Sequence, residues 1–231
     1  SYTGTNITNL YSLQQIESIE GNLIIYGNNL LTDLEGLHNL TYVGGDLAIG
    51  FQDIEEAYGN EILETLDLTS LANVGGNFQI KKNPSLTDLT GLDNLSAIEG
   101  NLTVWLNDSL QDLNGLEQLI SVGGIITIGA HNNLTTLSGL ENITSIGMGI
   151  YLGANNALTD ISAFSNLTSI GGIWIQDNPM LTNLNRLHNI ESSVGGVVVY
   201  LCSGLTNLDG LNNLTSVGGI LSIFKNENLE N

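Results

Sequence analysis

Isoleucine or valine recurs at Ile19, Val43, Val74, Ile98, Val122, Ile146, Ile170, Val194 and Val217, in steps of 24 residues broken by one step of 31 and one of 23. Most are followed by a glycine pair, such as Gly44-Gly45, Gly123-Gly124 or Gly195-Gly196, with Glu20-Gly21, Glu99-Gly100 and Gly147-Met148 as variants. A short alternating segment comes next, for example Asn101-Leu102-Thr103-Val104, and its period of two predicts one strand per repeat. Three residues past the last apolar strand position stand Asn28, Gln52, Asn83, Asn107, His131, Asn155, Asn178, Cys202 and Asn226. A stacked Asn at that place can bond backbone groups that a bend would otherwise leave unpaired. The rest of each unit carries Leu or Ile every third residue, as in Leu86, Leu89, Leu92, Leu95 and Ile98. That spacing is not the 3.6 of an α-helix, and Gly91, Gly115, Gly139 and Gly210 also oppose one. It predicts short extended or 3₁₀ segments turning inward.

The unit x-L-x-I-x-x-N-x-x-L-T-x-L-x-G-L-x-N-L-T-S-V-G-G resembles a leucine-rich repeat, and its G-G-x-L-x-I turn resembles the receptor L-domain variety, including bacterial cell-surface proteins of that type. The resemblance covers the whole chain in nine copies. It implies a β-rich solenoid, a right-handed leucine-rich-repeat, L-domain-like parallel β coil of about 24 residues per turn, with nine strands on one face and little α-helix. Residues 1–231 then form a single solenoid domain with an irregular insertion at 51–63. Incomplete coils at both ends fit either a piece of a longer protein or ends that meet partners.

Alternate strand residues point away from such a core. One outward column is Ile24, Ala48, Gln79, Thr103, Thr127, Tyr151, Trp174, Val198 and Ser222, and the next is Tyr26, Gly50, Lys81, Trp105, Gly129, Gly153, Gln176, Tyr200 and Phe224. Six aromatics fall outward, flanked by small residues, which suits stacking on sugar rings or anchoring a protein. The candidate ligand-binding residues are therefore Tyr26, Lys81, Trp105, Tyr151, Trp174, Tyr200 and Phe224. The alternative is that aromatics merely favour strands.

Charge narrows the partners. With 24 Asp and Glu against 4 Lys and Arg, the chain carries −20, which repels nucleic acid and anionic membrane surfaces. No apolar run approaches the ~18 residues of a membrane-crossing helix. Asp53, Glu55, Glu56 and Glu61 in the insertion can be imagined around a calcium ion, but they lack the order of a known calcium loop, and no cofactor is expected. Threonine columns, including Thr135 and Thr159, suggest ice binding, against the simpler reading that their hydroxyls satisfy local backbone. Stacked acidic positions such as Asp88 and Asp112 read as solvated surface. The sequons at Asn39, Asn94, Asn142, Asn166 and Asn213 share one repeat position and read first as repeat grammar. Hydrolase and phosphate-loop motifs are absent, and the strand segments offer one carboxylate, Asp46, so catalysis is not expected. The resemblance implies an extracellular or cell-surface binding or adhesion module, the residues argue against catalysis, and the outward aromatics make the strand face the expected site for a glycan or protein. End-to-end self-association into an array and ice binding stand as alternatives.

Overall fold

The computed structural model describes residues 7–50 and 59–230, and within them the chain is a parallel β-solenoid of about eight turns. Nine strands form one continuous sheet in chain order: β1 (Leu23–Ile25), β2 (Leu47–Gly50), β3 (Phe78–Lys81), β4 (Leu102–Trp105), β5 (Ile125–His131), β6 (Gly149–Asn155), β7 (Ile173–Gln176), β8 (Val197–Tyr200) and β9 (Leu221–Phe224). Each pairs in parallel with its neighbours in register, so Leu102 faces Ile126 and Trp105 faces Gly129. The residues opposite the outward columns, such as Phe78, Ile80, Leu102, Val104, Ile126 and Ile128, are fully buried and meet the leucine ladder of the same coils. At the outer coils Leu10, Leu13, Leu211 and Leu229 pack on this core while remaining partly exposed.

The threefold leucine spacing forms single 3₁₀ turns at Tyr11–Leu13, Glu35–Leu37, Ser162–Phe164, Asn185–Leu187 and Asp209–Leu211, with no α-helix among the described residues. Successive coils approach closely here. At Gly115, where φ is +110°, a Cβ would lie 2.0 Å from the Leu89 carbonyl oxygen, so the repeat needs glycine for both conformation and space.

From β3 to β9 the chain bends sharply at or near the strand end through one left-handed non-glycine residue: Lys82, Leu106, Ala130, Ala154, Asp177, Leu201 or Lys225, with φ between 52° and 57°. Such a conformation costs a non-glycine residue roughly 1–3 kcal/mol. The stacked polar residue that follows holds the bend. Asn107 donates its Nδ2 to the Ile80 carbonyl at 2.9 Å, and its Oδ1 accepts the Asn83 N–H at 2.8 Å. Asn83, Asn155, Asn178 and Asn226 make the same carbonyl bond. His131 substitutes through its two ring nitrogens: Nε2–H donates to the Val104 carbonyl at 3.2 Å and Nδ1 accepts the Asn107 N–H at 3.3 Å. Burial pushes its imidazole pKa below the ordinary value, in keeping with a neutral ring.

Two register expectations need correction. The rung expected at Gln52, which lies outside the described residues, is filled by Asn60. Asn60 is buried, donates to the Ile25 carbonyl at 3.1 Å and accepts the Asn28 N–H at 3.2 Å. Asn60 thus returns the chain to the register of Asn28, and residues 51–58 of the expected insertion lie outside the described residues. The second correction concerns Val194. A narrow second ladder of two-residue strands runs beside the main sheet, and in it Ile170 pairs with Ser193, which pairs with Val217. Ser193 is 2% exposed and Val194 is 80% exposed, because only the turn at Gly171-Gly172 is one residue short. This second ladder is broken once, between Ser145–Ile146 and Ser169–Ile170.

Candidate functional site

A column at the start of the main strands divides the solenoid. Asn22 Oδ1 accepts the Asp46 N–H, Asp46 Oδ1 accepts the Asn77 N–H, Asn77 Oδ1 accepts the Asn101 N–H, and Asn101 Oδ1 accepts the Ile125 N–H, at 2.7–2.9 Å. This outer polar ladder stops at Ile125. The next position is Gly149, one residue after Met148 has replaced the second glycine of the repeat turn. The break in the narrow ladder falls at this turn.

An open groove of about 650 Å³ lies on the strand face at this place. Trp105, Leu106, Ile125, Met148, Tyr151 and Trp174 supply its apolar lining, Thr103 and Thr127 supply hydroxyls, and Lys81 closes one end. Glycines shape the floor. A Cβ on Gly129 would meet the Trp105 ring at 2.2 Å, one on Gly153 would meet the Tyr151 ring at 2.5 Å, and one on Gly172 would meet the Trp174 ring at 2.6 Å. Each ring thus lies over a bare stretch of backbone that any larger residue would fill. The Trp105 and Tyr151 centroids are 6.2 Å apart with planes tilted by 40°, within the range of favourable aromatic pairs. Burial raises the Tyr151 phenol pKa and lowers that of the Lys81 ammonium.

The seven expected contact residues separate into three places. Lys81, Trp105, Tyr151 and Trp174 share the groove. Tyr200 and Phe224 stack on each other, with centroids 4.7 Å apart and planes within 5°, and the Tyr200 hydroxyl donates to Gln176 Oε1. Tyr26 lies at the far end, beside Ile7, Leu10 and Ile24. Leu106, Ile125 and Met148 were not among the expected residues. The switch from Asn22, Asp46, Asn77 and Asn101 to Ile125 after the turn glycines is the signal that marks Ile125.

Other candidate features have structural work. Threonine hydroxyls donate to the preceding coil, Thr159 to the Thr135 carbonyl and Thr215 to that of Glu191. Asp88, Asp112 and Asp160 each accept the backbone N–H two residues on, so the acidic columns are turn caps. The sequon asparagines do likewise, as when Asn94 donates to the Thr69 carbonyl at 2.7 Å and Asn142 to that of Glu117 at 2.8 Å. Cys202 is buried with its thiol pKa raised by burial, which leaves little of the reactive thiolate. Among the described residues no group of three or more His, Cys, Asp or Glu could hold a metal ion, and Asp53, Glu55 and Glu56 lie outside them. No helix among the described residues is long and apolar enough to cross a membrane.

No curated protein matches the chain. Residues 1–91 match the family model of the receptor L domain, a ligand-binding rather than catalytic type, and the parallel solenoid of about 24 residues per turn that continues beyond them fits a receptor L-domain-like protein.

Proposed function

We propose that this protein is a non-enzymatic, extracellular binding module whose strand-face groove between Lys81 and Trp174 recognises an exposed segment of a protein partner. The observation that carries this reading is the lining. Two indoles, a phenol, Leu106, Ile125 and Met148 converge on a rigid sheet, with few polar groups to fix orientation. The apolar surface continues past the groove rim, because Met148 is 60% exposed and also borders a shallow depression with Ile146, Ile170 and Val194. A glycan would ask for more hydrogen-bonding partners than Thr103, Thr127, Tyr151 and Lys81 supply. One observation favours it as a second reading: Trp105 and Trp174 rest over glycine backbone, which suits stacking against a sugar ring.

The deciding experiment exposes wild type and the Trp105→Ala/Trp174→Ala double variant to peptide and glycan arrays in parallel. Both indoles lie outside the core, so the double variant keeps its fold. The proposal expects peptide binding by wild type that the double variant loses. Glycan binding lost in that variant would move the assignment to carbohydrate. Binding that survives both substitutions would remove the groove from consideration.

A further inference from the structure

Lys81 is the only charged side chain in the two outward columns of the nine strands, although the chain holds 24 acidic residues and only 4 basic ones. Its register neighbours are Gly50, which offers no side chain, and Trp105. Lys81 is half-buried at the mouth of the groove, and among the described residues no carboxylate pairs with it. Burial lowers its pKa, and no charged group among the described residues opposes that shift. A partly desolvated ammonium without a counter-ion is unfavourable, and a carboxylate arriving with a ligand would relieve that cost. Asp46, the carboxylate of the strand segments, is already bonded to the N–H and side-chain amide of Asn77.

Distance fixes the rest of the ligand. Lys81 sits on β3 and Trp174 on β7, four strand spacings away, which at ~4.8 Å each is about 19 Å, the reach of about six extended residues. We infer that the groove selects a peptide segment whose Asp or Glu carboxylate seats on Lys81 while a bulky apolar side chain about six residues away enters between Tyr151 and Trp174. The inference rests on the protein-binding reading of the groove. The negative field of the whole chain adds a second requirement, since it disfavours a segment rich in acid, so the partner is neutral or basic apart from this one carboxylate.

The test uses an array of otherwise neutral peptides, each with a tryptophan or leucine anchor and a glutamate at scanned separations, printed beside twins in which Gln or Lys replaces the glutamate. Wild type should prefer the Glu peptide over its Gln twin by at least about fivefold at the best separation, the effect expected of one charge-assisted contact. In Lys81→Met that ratio should fall to about one, and Lys81→Glu should prefer the Lys twin. An unchanged Glu preference in Lys81→Met, with binding still lost in Trp105→Ala/Trp174→Ala, overturns the role of Lys81 and leaves the groove standing. Indifference to the double tryptophan substitution overturns the groove reading itself.

Discussion

The coils before Ile125 and those after it obey one repeat and differ in one column. From Asn22 to Asn101 the position after the turn glycines is a polar rung that locks each strand entry to the next coil. From Ile125 onward the rungs are gone, the narrow ladder breaks beside Met148, and the strand face opens into a groove. The inner rungs at the opposite end of the strands run through both halves, as Asn83, Asn107, His131, Asn155 and Asn178. Loss of one ladder is tolerated because the other still pairs the buried backbone. A solenoid can therefore give up regularity on its surface and turn that site to binding without losing its core.

The strongest way to break this contrast is to remove an inner rung. Asn107→Leu leaves the Asn83 N–H buried and unpaired, at about 1–3 kcal/mol, and removes the amide bond to the Ile80 carbonyl, so a loss of about 2 kcal/mol or more is expected in denaturant unfolding. A reciprocal exchange sharpens it. Asn101→Ile removes a half-buried rung that water can partly replace and should cost about 1 kcal/mol. Ile125→Asn should leave stability within that same range while weakening peptide binding to the groove. Equal costs for Asn107→Leu and Asn101→Ile would show that the two ladders do not divide the work as described.

Cys202→Asn restores an inner rung. The Cys202 thiol lies 3.9 Å from the Ile175 carbonyl, and an amide there should bond it and add up to about 1 kcal/mol, read as a higher unfolding midpoint. The smallest effect at neutral pH belongs to His131→Asn and emerges on acidification. Because burial holds the folded-state pKa of His131 below the ordinary 6.5, the unfolded chain takes up its proton first. The contribution of His131 is complete above pH 6.5 and is lost as the pH falls from there toward the folded-state value. Unfolding at pH 7.5 and 5.5 should therefore show a smaller acid loss in His131→Asn than in wild type, and identical losses would contradict a buried neutral imidazole.

Much of this was legible in the sequence because a 24-residue period fixes which residues face out, and the pairing of Tyr151 with Trp174 and of Lys81 with Trp105 follows it. Register slipped where the period did. The position of Gln52, three residues after Ile49, predicts a rung there, whereas Gly59-Asn60-x-x-Leu63 repeats Gly27-Asn28-x-x-Leu31 and marks the true return to register. The apolar side chain of Val194 predicts burial, yet turn length, not residue type, sets the buried position, and the small Ser193 occupies it, bonding the Gly195 carbonyl at 3.3 Å. The groove itself was only half visible. Its aromatics appear in the outward columns, but Leu106 and Met148 lie on bends, where no alternation assigns a direction.

The two tryptophans of the chain both line the groove, so its occupancy can be read from them alone. The most direct test is acrylamide quenching of tryptophan fluorescence during titration with a peptide selected on the array, in wild type and in the single-tryptophan variants Trp105→Phe and Trp174→Phe. A ligand seated between Lys81 and Trp174 predicts that quenching falls in all three proteins as the peptide saturates. Saturable binding with unaltered quenching of both indoles would contradict the assignment of the groove as the binding site.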